Sequence, residues 1–225
     1  MEGPEGGTVQ PGGGEVPGGL RPHGGGEGNP LKRDSGLFPA YFGGVPFLGP
    51  GGDAPPPEVR THLGLGRAFQ IPTPLPELTV RENLLVGALF GRPGQSRKEA
   101  EARVEAVLEL TGLAAKAEAP AGELTLLEDK RLELARALAT GPRVLLLDEV
   151  MAGLRPKEAQ EAVDLVRRIR DAGVSVLFIE HLMPVVRALA DRVVVLDYGE
   201  VIAEGPYEQV AREERVREAY LGRRA

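Results

Sequence analysis

The stretch RVLLLDEVMAGLRP, Arg143 to Pro156, decides how the rest of the chain is read. Four apolar residues, Val144 to Leu147, run straight into two adjacent carboxylates, Asp148 and Glu149. A short apolar run bounded by turn residues is the pattern of a strand buried on both faces, as in a parallel sheet. Two further runs of this kind follow, VSVLFIE (Val174 to Glu180) and RVVVLD (Arg192 to Asp197). The helical segments Pro156 to Ala172 and Leu182 to Ala190 separate them, so the alternation predicts an α/β fold with crossover helices. LDYGEVIAEG adds a hairpin with its turn at Tyr198-Gly199.

Upstream of this stretch the period is helical. LTVRENLLVGALF (Leu78 to Phe90) reads as a helix opened by Thr79, and SRKEAEARVEAVLELTG (Ser96 to Gly112) as a longer one capped by Ser96 and stopped by Gly112. LEDKRLELARALATG (Leu127 to Gly141) places Leu132, Leu134, Ala135 and Leu138 near one face, which makes a third amphipathic helix ending at Gly141-Pro142.

Composition breaks near Pro57. Residues 1 to 57 hold 18 of the 31 glycines and 11 of the 20 prolines and show no apolar repeat. Such a segment buries too little apolar surface to offset chain entropy, and by these rules it is a disordered arm. The domain division that follows is an arm over 1–57 and a folded part over 58–225. The folded part divides into a helical subdomain over about 72–140 and a catalytic core over about 141–225.

Bulk properties narrow the function. A net charge of -6 argues against nucleic acid as a partner, and zero cysteines exclude disulfides and thiolate metal sites. Three histidines, His23, His62 and His181, stand too far apart in sequence to suggest a histidine metal cluster. No apolar run approaches the roughly 20 residues needed to cross a bilayer, and the N-terminus lacks the look of a signal peptide, so a cytoplasmic location is expected.

Ligands of open α/β sheets bind at the carboxyl ends of the strands, where Asp148 and Glu149 fall. Asp148 could hold Mg²⁺ directly or through water, leaving Glu149 to orient or deprotonate an attacking water. Taken alone, an apolar run ending in two acids equally describes a strand emerging into solvent. His181 follows the next strand, so a parallel sheet would bring it to the same edge as Glu149. By itself it also reads as an ordinary loop residue, as does Gln70 in the connection before Pro72.

Taken in order, GRAFQ with Gln70, PELTVRENLLVG, ELTLLEDKRLELARALAT, VLLLDEVMAGLRP, IEHLM and LDYGEVIAEGP resemble the ATP-binding cassette ATPases over Glu58 to the C-terminus, about three quarters of the chain. The resemblance is nearest to the ATPase subunits of branched-chain amino acid importers. It implies a P-loop NTPase-like core with a helical subdomain, and ATP and Mg²⁺ as ligands. It further implies that Gln70 is the lid glutamine that senses the metal and couples to the membrane subunits. Asp148 would be the metal-associated acid, Glu149 the catalytic base and His181 the switch histidine. Leu124 to Lys130 would be the signature segment, with Thr125 supplying its hydroxyl toward ATP held by the opposite subunit. The implied partners are a homologous ATPase subunit, transmembrane permease subunits and, indirectly, a solute-binding protein, with the chain peripheral on the inner face of the membrane.

Several residues depart from that pattern. Thr125 stands where the family has serine. Leu126 and Leu127 replace residues whose backbone approaches phosphate, adding bulk where glycine allows close contact. Arg155 replaces an acidic or amide residue in the loop after the strand. The largest departure is the phosphate loop, GxxxxGK[ST], which cradles phosphate with backbone N–H groups and a lysine. No Gly-Lys dipeptide occurs in the 225 residues; the glycine cluster RPHGGGEGNPL, Arg21 to Leu31, carries glutamate where lysine is needed.

The genetic code links that cluster to the expected loop. Read one nucleotide late, RPHGGGEGNPL can encode GPTGAGKATL, PAYFGG (Pro39 to Gly44) can encode PPTSGE, and VPFLGPGGDAP (Val45 to Pro55) can encode YRFLGREVTRL. The present frame then rejoins the family pattern near Pro55 to Pro57. In this reading the residue after the restored lysine is alanine, glycine, valine or glutamate, so the metal-binding hydroxyl stays unaccounted for. The N-terminal lobe is therefore expected to be atypical or missing and ATP binding to be impaired. The rival readings are a non-hydrolysing pseudo-ATPase that docks on partners through the helices around Gln70 to Leu138, and an inert product of a damaged frame.

Overall fold

The structure, a computed structural model, describes residues 17–20, 55–197 and 200–221. Six strands form one sheet: β1 (Pro17–Leu20), β2 (Leu65–Ala68), β3 (Val144–Asp148), β4 (Ser175–Glu180), β5 (Arg192–Asp197) and β6 (Glu200–Gly205). Their spatial order is β2-β3-β4-β1-β5-β6. All neighbours are parallel except β5 and β6, which pair antiparallel, as the hairpin pattern predicts. The turn placed at Tyr198-Gly199 lies outside the described residues.

Placing the whole of residues 1 to 57 outside the fold needs correction at Pro17–Leu20 and at Pro57, where a helix begins. Pro17–Leu20 fills the slot between β4 and β5, with Leu20 level with Glu180 on one side and Val195 on the other. A central slot asks for main-chain N–H and C=O groups, which glycine supplies as well as valine does, and proline is tolerated at a strand's first residue. Apolar patterning cannot see such a strand. The loop cluster that follows it, and the whole displaced-frame stretch over 21–54, lie outside the described residues.

β3 shows why an unbroken apolar run was needed. Successive side chains point to opposite faces. Leu145 and Leu147 enter the main core with Phe178, Val193 and Val195, while Leu146 packs on the other face with Ile179. Helix α1 (Pro57–His62) precedes β2, and α2 (Val80–Phe90), α3 (Arg97–Thr111) and α4 (Leu126–Ala139) follow it. The last three pack on one another, and α4 also packs on β2. Each opens on a hydroxyl cap: Thr79, Ser96 and Thr125 accept from the N–H three residues on, and Glu82, Glu99 and Glu128 reach back to complete capping boxes. Gly112 ends α3 at φ 72°, a left-handed position that a Cβ disfavours.

The four apolar residues assigned to one face of α4 are all buried. Crossover helices α5 (Pro156–Asp171) and α6 (Met183–Leu189) pack on β4, and α7 (Tyr207–Val210) and α8 (Glu214–Leu221) close the chain beside β6. Because β2, β3 and β4 run side by side in one direction, the segments that leave them emerge at a single edge.

Candidate active site at the carboxyl ends of β2, β3 and β4

Glu149 is the first residue beyond β3 and the only non-glycine with positive φ among the described residues, at 47°. An L-residue pays about 1–2 kcal/mol for that conformation. Its surroundings hold it there: its N–H donates to Ile179 O of β4 (3.0 Å), and its carbonyl accepts from Ala152 N–H (3.0 Å). The turn lifts the carboxylate between two loops. Gln70, two residues past β2, donates from Nε2 to Glu149 Oε2 at 2.9 Å. His181, the first residue past β4, brings Nδ1 to 3.8 Å from Glu149 Oε1. Both oxygens of Glu149 therefore face a residue that the sequence singles out.

Asp148 ends β3 one position earlier, so its side chain points elsewhere. Its Oδ2 accepts from Arg67 Nη2 at 3.1 Å, with the two side chains only 13% and 8% exposed. The Arg67 guanidinium also lies 4.5 Å from the centroid of the Phe69 ring, a cation–π contact. Arg67 escaped sequence reading, although its place in GRAFQ, on the strand beside β3, is the signal that could have found it.

Thr125 does not join this group. Its hydroxyl and its N–H both donate to Glu128 Oε2, at 2.9 Å each, so the side chain caps its own helix. Glu128 and Asp129 load the first turn with negative charge, which stabilises the helix dipole and opposes an incoming phosphate. Arg155 is exposed, and its N–H donates to Glu158 Oε2 at 2.7 Å to open α5.

Beneath these residues lies a buried charged layer that the sequence reading also missed. Lys130 of α4 donates from Nζ to the Gln70 carbonyl. Glu133, one turn on, accepts from Phe69 N–H at 3.4 Å, and Arg136 donates to Thr73 O at 2.5 Å. The segment carrying Gln70 is thus held by one face of α4. Burial lowers the Lys130 ammonium against the opposing charges of Glu180, Asp129 and Glu133. Burial raises the Glu133 carboxyl, with Arg136 pulling the other way. Glu180, the last residue of β4, is pushed up to about 7, first by burial and then by the neighbouring Glu149 carboxylate.

Magnesium takes oxygen donors and keeps several of its waters. The carboxylate of Asp148 and the amide oxygen of Gln70 are donors of that kind. No group of three or more His, Cys, Asp or Glu among the described residues could by itself hold a metal ion. The guanidinium on Asp148 is a competing cation.

A mostly parallel sheet that gathers Gln70, Glu149 and His181 at the carboxyl ends of its strands places them where α/β folds bind their ligands. Residues 53–152 match the family described as ABC transporter, and residues 200–225 match the branched-chain amino acid ATP-binding cassette transporter family. The chain is 32% identical over 213 residues to the probable branched-chain amino acid transport ATP-binding protein LivG of Archaeoglobus fulgidus, covering 90% of this chain and 83% of that one. It is 39% identical over 173 residues to the high-affinity branched-chain amino acid transport ATP-binding protein BraF of Pseudomonas aeruginosa, covering 71% and 68%. Its fold superposes on the ADP conformation of MJ1267, an ATP-binding cassette of an ABC transporter, with a TM-score of 0.79 at 30% identity over 93% of this chain and 89% of that one. The chain belongs to the ATP-binding cassette transporter family. ATPase subunits of this family bind nucleotide with magnesium, generally dimerise and associate with transmembrane permeases. No helix among the described residues is long and apolar enough to cross a membrane.

Proposed function

We propose that this chain is the ATP-binding subunit of an importer for branched-chain amino acids, with the acidic half of its nucleotide site formed and the phosphate-holding half impaired. The observation that carries the reading is the convergence of Gln70 and His181 on the two oxygens of Glu149. Glu149 acts as the base, accepting a proton from the attacking water at a carboxylate oxygen. Gln70 orients that carboxylate through its amide N–H, and His181 faces the other oxygen. Asp148 and Gln70 would hold the magnesium, which when bound neutralises developing phosphate charge. The relatives' names, branched-chain amino acid transport ATP-binding proteins, support the solute class.

The same reading divides the folded part into a helical subdomain over about 72–140 and a core over about 141–225, and it gives the chain three partners. A second ATPase subunit would face Thr125 and the start of α4. Permease subunits would dock beside Gln70, where Phe69, Ile71, Leu75 and Phe90 are exposed at 43%, 74%, 41% and 75%. A solute-binding protein would act through the permease, and the chain would lie on the inner face of the membrane.

The impairment rests on the sequence. Leu20 ends the central strand level with Glu180, and the residues that follow it, Arg21 to Leu31, carry Glu27 and no Gly-Lys pair. A displaced reading frame over residues 1 to 57 accounts for this. One further observation favours the pseudo-ATPase alternative: Thr125 is committed to its own capping box, under two first-turn acids. Affinity for MgATP after the frame is restored over residues 1 to 57 separates the readings, since an impaired ATPase subunit regains binding and a pseudo-ATPase with an acidic signature segment does not.

A further inference from the structure

Glu180 is a residue that none of the roles above employs. It is 2% exposed, it ends β4, and it directly precedes His181. A strand end of this kind would ordinarily be apolar, because burying a carboxyl forfeits its hydration. Its Oε1 accepts the Met151 N–H at 3.3 Å. The carboxyl stands at the start of the turn that carries His181 and Leu182. Oε2 is buried and accepts no hydrogen bond from the described residues. The charged groups that face it are Lys130, from α4, and Glu149, from the turn after β3.

A side chain at the end of β4 thus accepts an N–H from the turn after β3. The first turn carries Glu149 and is fastened twice to consecutive residues of β4: Glu149 N–H to Ile179 O, and Met151 N–H to Glu180 Oε1. The second turn begins with His181. We propose that Glu180 is a positioning residue that locks the Glu149 turn to the His181 turn, and so sets the separation of the base and the histidine. This rests on the site reading given above. Core packing does not require the arrangement: an apolar side chain would fill the same space but would leave the Met151 N–H without its acceptor. Lys130 ties the lock to the Gln70 segment, since the ammonium that faces Glu180 donates to the Gln70 carbonyl.

Amide hydrogen exchange and histidine-ring NMR test this on the chain as it stands, without nucleotide. The sequence has only three histidines, so the His181 ring signals can be assigned by substitution. Glu180→Leu is expected to speed exchange at Met151 at least tenfold and to shift the His181 ring signals. Leu146 and Phe178, in the neighbouring strands, should keep their protection. Glu180→Gln retains an acceptor oxygen and should restore both readouts to near wild type. If Glu180→Leu does not fold, Glu180→Asp decides: the shortened carboxyl should release the Met151 amide while the core amides stay protected. Unchanged exchange at Met151, or loss spread evenly through the sheet, would overturn the proposal. A chain that fails to bind MgATP leaves this result standing, so the lock and the ATPase reading fail separately.

Discussion

Replacing Glu149 by glycine and, separately, by alanine measures the strain stored at the site. Both variants lose the contacts to Gln70 and His181, so those terms cancel and the difference reports the backbone. At φ 47° a Cβ costs about 1–2 kcal/mol, which alanine bears and glycine escapes. Glycine's larger freedom in the unfolded chain takes back about 0.4–1 kcal/mol. With the middle of each range, the glycine variant should be the more stable by about 0.8 kcal/mol. For a chain of 225 residues, 1 kcal/mol moves Tm by about 2–4 °C, so the melts should separate by about 1–4 °C. Thermal melts followed by circular dichroism at one pH and buffer are sufficient. An alanine variant as stable as the glycine variant would refute the strain, and with it the idea that the turn is held by its anchors on Ile179 and Glu180 against its own preference.

Two further outcomes follow from the buried charges. Glu180 is raised from 4.5 to about 7 in the folded chain, so the folded state holds the proton more tightly than the unfolded one between those values. Its contribution to stability is greatest below pH 4.5, falls as pH rises through 7 and is flat above, a total of about 3 kcal/mol; urea titrations across this window should show the decline, and Glu180→Gln should remove that part of it, whereas an identical slope in the variant would contradict the shift. Arg67→Ala removes the cation from a pair whose side chains are 8% and 13% exposed and should cost about 3 kcal/mol. A double-mutant cycle with Asp148→Asn should show coupling above about 1 kcal/mol, and additive losses would argue that the pair is not energetically linked.

Legibility in the sequence tracked the kind of force at work. Hydrophobic burial writes itself as period, so β3, β4 and β5 and the apolar face of α4 could be read directly. Capping is equally local, which is why Thr79 and Ser96 mark their helices, while the cap at Thr125 was passed over for an ATP-facing role. Glu149 and His181 could be placed on one edge because parallel strands emerge together, whereas Gln70 was implied only by the family resemblance, its strand β2 having gone unread. β1 could not be read, since its place depends on main-chain pairing with β4 and β5 over four residues, two of them glycine. Arg67, Lys130, Glu133 and Glu180 were invisible for another reason. A charged residue in an amphipathic or apolar stretch looks like a solvated one until tertiary packing buries it against its partner. Glu180 had the most legible signal of the four, an acid ending an apolar strand as Asp148 does.

The most direct measurement is a pair of calorimetric titrations with MgATP, one on the chain as it stands and one on the chain with the displaced frame restored across its first 57 codons. Restoration would return a lysine and its cradle of backbone N–H groups to the loop after β1, facing the strand end that already carries Asp148 and Glu149. The expected result is binding by the restored chain, ATP trapped when Glu149→Gln removes the base, and no measurable binding by the present one. Equal affinity in both, or no binding by the restored chain, would contradict the proposal that the acidic half of an ATP site is formed here and lacks its phosphate loop.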